Sequence, residues 1–142
     1  MQIRDCALDD FKSILPLLEQ LWPGDELDGA RLEAVFHGYI TTDSDYCFGA
    51  FVDGRMAGFC SMNVKNSLWR AGKVAYVDNL IVDDADRRGG LGAALIEHAA
   101  GVALGLGCGY LELDSGFQRP WAHDFYAEQG FKKFGFMFGK RL

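Results

Sequence analysis

The chain has 142 residues, 49% hydrophobic and 24% charged, with a formal net charge of −6; this describes one globular domain over residues 1–142, large enough to fold without metal or disulfide support. The acidic balance argues against a nucleic-acid binder, which needs clustered Lys and Arg for phosphate contacts. No apolar run reaches the ~18 residues of a membrane helix, the first residues lack a signal-peptide pattern, and Cys6, Cys47, Cys60 and Cys108 lack zinc-site spacing, so a cytoplasmic protein with buried free thiols and no membrane, nucleic-acid or metal partner is expected.

In chain order, Gln2 to Cys6 reads as an edge strand. Asp9 or Asp10 caps a helix in which Phe11, Ile14, Leu15, Leu18 and Leu21 follow helical spacing, with Pro16 a candidate kink and Trp22-Pro23-Gly24 the end. A second helix over 27–39 sets Leu32, Val35, Phe36 and Ile40 on one side. Residues 46–52 and 56–62 alternate with period two around Asp53-Gly54-Arg55, a hairpin whose Asp-Gly pair suits positive backbone dihedrals. The run Val74 to Val82 is apolar enough for the centre of a sheet. A helix from about Gly90 to Leu106 follows, then a strand from Cys108 to Asp114, a short helix from about Arg119 to Gln129, and a last strand around Phe134 to Lys140. The unit from Val74 through Leu113 is a strand-helix-strand crossover, normally parallel and right-handed. The earlier strands form a meander, so the fold class is α/β with a central mixed sheet flanked by helices, in the order β-α-α-β-β-β-α-β-α-β.

The most informative stretch is Leu80-Ile81-Val82-Asp83-Asp84-Ala85-Asp86-Arg87-Arg88-Gly89-Gly90-Leu91-Gly92-Ala93. It joins a buried strand to a helix through a basic, glycine-rich turn. Glycines allow close approach of backbone to ligand, and the amides and dipole of a helix N-terminus favour an anion. A diphosphate suits such a turn; tight packing of the helix start is the competing account. There is no Gly-Lys-Ser/Thr of a P-loop, and the third glycine of the dinucleotide fingerprint is Leu95, although Asp114 lies roughly where a ribose-binding acid would fall.

The run Arg87-x-x-Gly90-x-Gly92, after the strand end Leu80-Ile81-Val82, resembles the Arg/Gln-x-x-Gly-x-Gly/Ala signature of the GNAT superfamily of N-acetyltransferases. Two family features differ: the usual proline is Asp84, and the glycine often following the first arginine is Arg88. Neither change removes an amide from the turn. The segment from Ser115 to Phe131 is similar to the superfamily's branch with a Ser-x-x-x-Arg-x-x-Ala-His-x-Phe-Tyr-x-x-x-Gly-Phe pattern, which includes aminoglycoside-like acetyltransferases. The resemblance covers nearly the whole chain and implies acetyl transfer from acetyl-CoA to a primary amine of a small molecule or peptide. It implies that amides of Arg87, Arg88, Gly89, Gly90, Leu91, Gly92 and Ala93 hold the diphosphate of coenzyme A. It implies further that the strand end at Leu80, Ile81 and Val82 pairs with the pantetheine arm as with an added strand.

The same resemblance puts Tyr126 where the family commonly places the acid that protonates the leaving thiolate, a task a hydroxyl of ordinary pKa about 10 suits. Packing beside Phe125 is the competing role. Asp78 stands where some members carry a carboxylate that deprotonates the amine, and a structural hydrogen bond is equally open to it. Strand alternation would put Asp78 and Leu80 on one face, with Glu112 and Asp114 as weaker acids. Arg119 is a candidate for cofactor binding or for pairing with an acid. His123 reads first as a packing residue. Trp22, Phe36, Tyr39 and Trp69 are candidate pocket aromatics. Phe131, Phe134, Phe136 and Phe138 suit either a homodimer contact or one buried strand face. A coenzyme-A-binding module without catalysis and a small nicotinamide-dependent oxidoreductase are the competing functions.

Overall fold

The computed structural model describes residues 1–142. Strand β1 (Gln2–Asp5) leads through a single 3-10 turn into α1 (Phe11–Leu21), followed by α2 (Gly29–Thr41). Three antiparallel strands come next, β2 (Asp45–Val52), β3 (Arg55–Ser67) and β4 (Gly72–Val82). Helix α3 (Leu91–Gly105) crosses to β5 (Cys108–Leu113), and α4 (Pro120–Glu128) is the last regular element. The five strands lie in chain order in one sheet, antiparallel except for the parallel β4–β5 pair.

Local chemistry explains most boundaries. Asp53 (φ 50°) and Gly54 (φ 76°) form the two-residue turn between β2 and β3, with the positive dihedrals that Asp-Gly tolerates. The Asp28 carboxylate accepts from the Arg31 amide at 3.2 Å and starts α2. Pro16 neither ends nor splits α1. It lies on the exposed side with Lys12, the residue whose carbonyl loses its helical donor.

Each sheet face has its own core. Leu91, Leu95, Ala99 and Ala103 repeat at i+4 along α3 and pack on Phe48, Cys60, Ala75 and Val77. Ile14, Leu17, Leu18 and Leu21 of α1, with Phe36 of α2, cover Cys47, Met56, Phe59 and Ile81 on the opposite face. Helix α3 packs tightly over Gly58: a Cβ there would lie 3.0 Å from a Leu95 methyl. All four cysteines are buried free thiols.

The structure departs from the sequence expectations in three places. The final strand over 134–140 does not form: no regular element follows α4, and no segment bonds the far edge of β5. Alternating aromatics specify two faces, but a strand also needs a partner for its ladder, and Phe134, Phe136 and Phe138 are 66%, 73% and 92% exposed. A single buried strand face is therefore ruled out for them. Asp78 and Leu80 do not share a face. The β3–β4 register steps from Ser61↔Asn79 to Met62↔Val77, so Asp78 is the extra residue of a β-bulge. Leu80 turns to the α3 core, while Asp78 meets α2. Val35 is exposed rather than buried beside Phe36.

Candidate active site

Beyond Asp78, β4 is bonded on one side only. Its pairing with β3 runs on to Val82, whereas its pairing with β5 stops at Val77↔Leu113. The two parallel strands part at the bulge, leaving the β4 backbone edge along Asn79, Leu80, Ile81 and Val82 without a strand partner on the β5 side, although the Val82 carbonyl accepts from Arg87 Nε at 3.4 Å. Such an edge can take an added extended ligand.

The turn after β4 is held at its acidic end. The Asp83 amide donates to the Ala57 carbonyl at 2.8 Å, the Asp83 carboxylate takes the Ala85 amide at 3.0 Å, and Arg55 bridges to Asp83 and Asp86 at 3.5 and 2.5 Å. The turn's basic end is arranged differently. No backbone amide from Arg87 to Ala93 has a hydrogen-bond partner within the chain; the first helical bond of α3 is donated by Ala94, to Gly90. Gly90 (φ 83°) and Arg88 (φ 67°) adopt left-handed conformations that turn this run of amides outward. The Arg87 guanidinium is tied to Asp84 at 2.7 Å, and Arg88 forms no ion pair. Unpaired amides, a helix N-terminus and a free guanidinium together fit a diphosphate, and the open strand edge fits the arm of coenzyme A beside it.

On the other side of the bulge lies a groove of about 470 Å³. Tyr39 from the last turn of α2, Asp45 of β2, Asn63 and Lys65 of β3, and Tyr76 and Asp78 of β4 line it, with exposed Val35 at its border. The Tyr39 hydroxyl donates to Asp78 Oδ2 at 3.2 Å. Asn63 donates to Asp45 Oδ1 at 2.7 Å, and the Tyr76 hydroxyl donates to Asp114. Loss of hydration among these groups raises the Asp78 carboxyl pKa; Asp45 and Asp114 add to the rise, and the Tyr39 bond and Lys65 oppose it. Burial, with the Asp78 charge, pushes Tyr39 up to about 12, so its hydroxyl remains a donor. Sequence reasoning had marked Tyr39 as a pocket residue. It had no signal for the bond to Asp78, nor for Asp45 and Tyr76, which come from separate strands.

Helix α4 closes the far side. A Cβ at Gly92 would stand 3.3 Å from Phe125, so the start of α3 and α4 meet through this glycine. Tyr126, packed on Phe125 and Phe131 with ring centroids 5.3 and 5.8 Å away, is partly buried, and its hydroxyl makes no hydrogen bond within the chain. Burial raises its pKa, partly offset by Arg119. Arg119 donates to the Leu21 carbonyl at the end of α1, tying α4 to the opposite layer, and His123 bonds the Gly116 carbonyl at 2.8 Å. Of the other aromatics named from sequence, Phe36 belongs to the core, Trp22 packs against it, and Trp69 stacks on Arg70.

The family model of the acetyltransferase (GNAT) family matches residues 11–131. An aminoalkylphosphonate N-acetyltransferase of Salmonella typhimurium is 26% identical over 141 residues, covering 99% of this chain and 91% of its own length. Glucosamine 6-phosphate N-acetyltransferase 1 of Oryza sativa subsp. japonica is 30% identical over 135 residues, covering 92% and 80%. A solved aminoglycoside N-acetyltransferase in complex with CoA superposes with a TM-score of 0.88 at 19% identity, covering 99% of this chain and 93% of that one, a likeness of fold.

Proposed function

The chain belongs to the acetyltransferase (GNAT) family and is an acyl-CoA-dependent N-acetyltransferase, and from that premise we propose that it acetylates a primary amine by direct transfer, with Asp78 as base and Tyr126 as acid. Acetyl-CoA supplies the acetyl thioester. The unpaired amides from Arg87 to Ala93 hold its diphosphate, and the β4 edge along Leu80, Ile81 and Val82 orients its arm toward the bulge.

Asp78, with its raised pKa and its donor Tyr39, takes one proton from the incoming ammonium and leaves a nucleophilic amine. Tyr126, kept protonated by burial, gives its proton to the sulfur as the carbon–sulfur bond breaks. The proton released when the nitrogen–carbon bond forms restores the tyrosine. Arg119 acts here through position, by fixing α4 against α1.

The single observation that carries this reading is the separation of β4 from β5 at Asp78, directly ahead of the unpaired amides. Titration calorimetry with acetyl-CoA tests it, nicotinamide dinucleotides serving as controls. Binding that is lost in a Gly90→Glu/Gly92→Glu variant, followed by free-thiol release on adding amines, is expected; no binding at high micromolar cofactor would sink it. The chain works in this proposal as one unit over residues 1–142. The four buried thiols suit a reducing cytoplasm, and the exposed Phe134, Phe136 and Phe138 support pairing of two copies.

A further inference from the structure

The charge of the groove beside Asp78 carries information about the acceptor. Asp45 and Asp78 line it, and Asp114 reaches it through Tyr76. Each of these carboxylates has one oxygen engaged by a neutral donor and the other without a partner in the chain. The last turn of α2, through Gly38 and Tyr39, and Thr42 just beyond it line the same groove. The Thr41 hydroxyl donates to the His37 and Gly38 carbonyls at 2.9 and 3.4 Å and the Asp45 amide to that of Thr42, whereas the carbonyls of Tyr39, Ile40 and Thr41 have no donor in the chain and stand at the negative end of the helix dipole.

Positive charge is scarce there. Lys65 is the only basic residue lining the groove, and its Nζ stands 5.1 Å from the centre of the Tyr76 ring. Arg70 does not line the groove: its side chain is about nine-tenths buried and held 3.8 Å from the ring centres of Trp69 and of Tyr110, with Phe134 at 5.0 Å and the Glu112 carboxylate at 3.5 Å. Its Nε and Nη2 are enclosed without a hydrogen-bond partner. A phosphate in this groove would meet one ammonium among several carboxylates, without the bidentate guanidinium or helix N-terminus that phosphate sites use.

We infer that the acceptor is a small amine carrying a second ammonium group, and not a phosphorylated amine, with its reacting nitrogen at Asp78 and its second cation on Asp45 and the terminal carbonyls of α2. The inference rests on the acetyl transfer proposed above. It names substrate chemistry different from the phosphorylated or phosphonate acceptors in the names of the two curated relatives. Two sources share this chemistry, linear polyamines and polycationic amino sugars.

The test is thiol-release kinetics with putrescine, spermidine, kanamycin, butylamine, aminoethylphosphonate and glucosamine 6-phosphate. Putrescine should exceed butylamine in kcat/KM by about tenfold, the size of one charge-assisted contact, and the phosphonate and the phosphorylated amine should both be slower than either dication source. Spermidine against kanamycin separates the linear from the cyclic source. Raising ionic strength from about 20 mM to about 500 mM should narrow the putrescine–butylamine gap, a readout that needs no variant. Asp45→Asn should raise KM for putrescine about tenfold with a smaller change in kcat, and Asp45→Glu should restore part of it. Faster turnover of the phosphorylated amines, or a putrescine-to-butylamine ratio near one, would overturn the inference and leave the transferase reading standing. Thiol release with none of the amines, with acetyl-CoA still bound in calorimetry, would overturn the inference alone, whereas absence of acetyl-CoA binding would remove the proposal it rests on.

Discussion

The hydroxyl of Tyr39, on α2, donates to Oδ2 of Asp78, the bulged residue of β4, across 3.2 Å. The contact stabilises the carboxylate and opposes the upward push from lost hydration. In Tyr39→Phe the donor is gone and the Asp78 pKa rises further. Because the base must be ionised to act, the acidic limb of the kcat/KM profile should move to higher pH, with the loss of rate largest on that limb. An acidic limb that stays in place would mean that Tyr39 does not poise Asp78.

The Tyr126 ring packs on Phe125 and Phe131 and its hydroxyl has no hydrogen-bond partner within the chain, so that hydroxyl is free to act. Tyr126→Phe keeps the ring in place and removes only the proton. An acid role predicts a loss in kcat of about a hundredfold with acetyl-CoA affinity unchanged. A packing role predicts little change in either, so kcat and calorimetry measured together separate the two.

Gly90 and Gly92 should respond differently to the same methyl group. A Cβ at Gly90 meets no atom within 4 Å, but φ is 83°. Its cost is backbone strain of about 1 kcal/mol, and relief of that strain would rotate the amides that face the diphosphate. Gly90→Ala should weaken acetyl-CoA binding about fivefold or more and lower Tm by about 3 °C. In Gly92→Ala the methyl meets Phe125 at 3.3 Å. The Phe125 ring, which packs on Tyr126, must give by a few tenths of an ångström, and kcat should suffer more than cofactor affinity. Equal effects of the two changes on binding and turnover would count against this division of roles.

The parts of this site that were legible in sequence are local ones. Asp53-Gly54 specifies its turn through the dihedrals of two adjacent residues, and the glycines and arginines from Arg87 to Gly92 specify an anion-binding helix start within one segment. The face of Asp78 was misassigned because the bulge opposite Ser61 and Met62 adds a residue to the alternation, and that is a property of two strands together. The bond from Tyr39 joins positions far apart in the chain, and no periodicity signals it. Phe134, Phe136 and Phe138 have the pattern of a strand, but no neighbouring edge bonds to them. Sequence spacing describes which way side chains alternate and is silent on which edge is available.

Asp78 also carries a cost for the fold. Its pKa is raised, so the folded state holds that proton more tightly than the unfolded chain does. The stabilisation from the protonated form is therefore fully present below the unfolded pKa of about 4 and is lost as pH rises through the folded pKa. At neutral pH the ionised carboxylate sits in a groove with Asp45 and near Asp114, which disfavour it. Asp78→Asn removes this ionisation. The variant should be more stable than the parent at neutral pH, by no more than a few degrees in Tm because the group is solvent-accessible. The difference should shrink toward zero as pH falls below about 4, where the parent carboxyl is protonated too. The same variant should lose about a hundredfold or more in kcat as the base disappears, while acetyl-CoA still binds. Thermal melts across pH, run beside thiol-release assays, check both halves. A variant destabilised equally at every pH would show that Asp78 serves the fold through its hydrogen bond to Tyr39, while one that is stabilised and inactive would show a carboxylate kept for chemistry at the expense of stability.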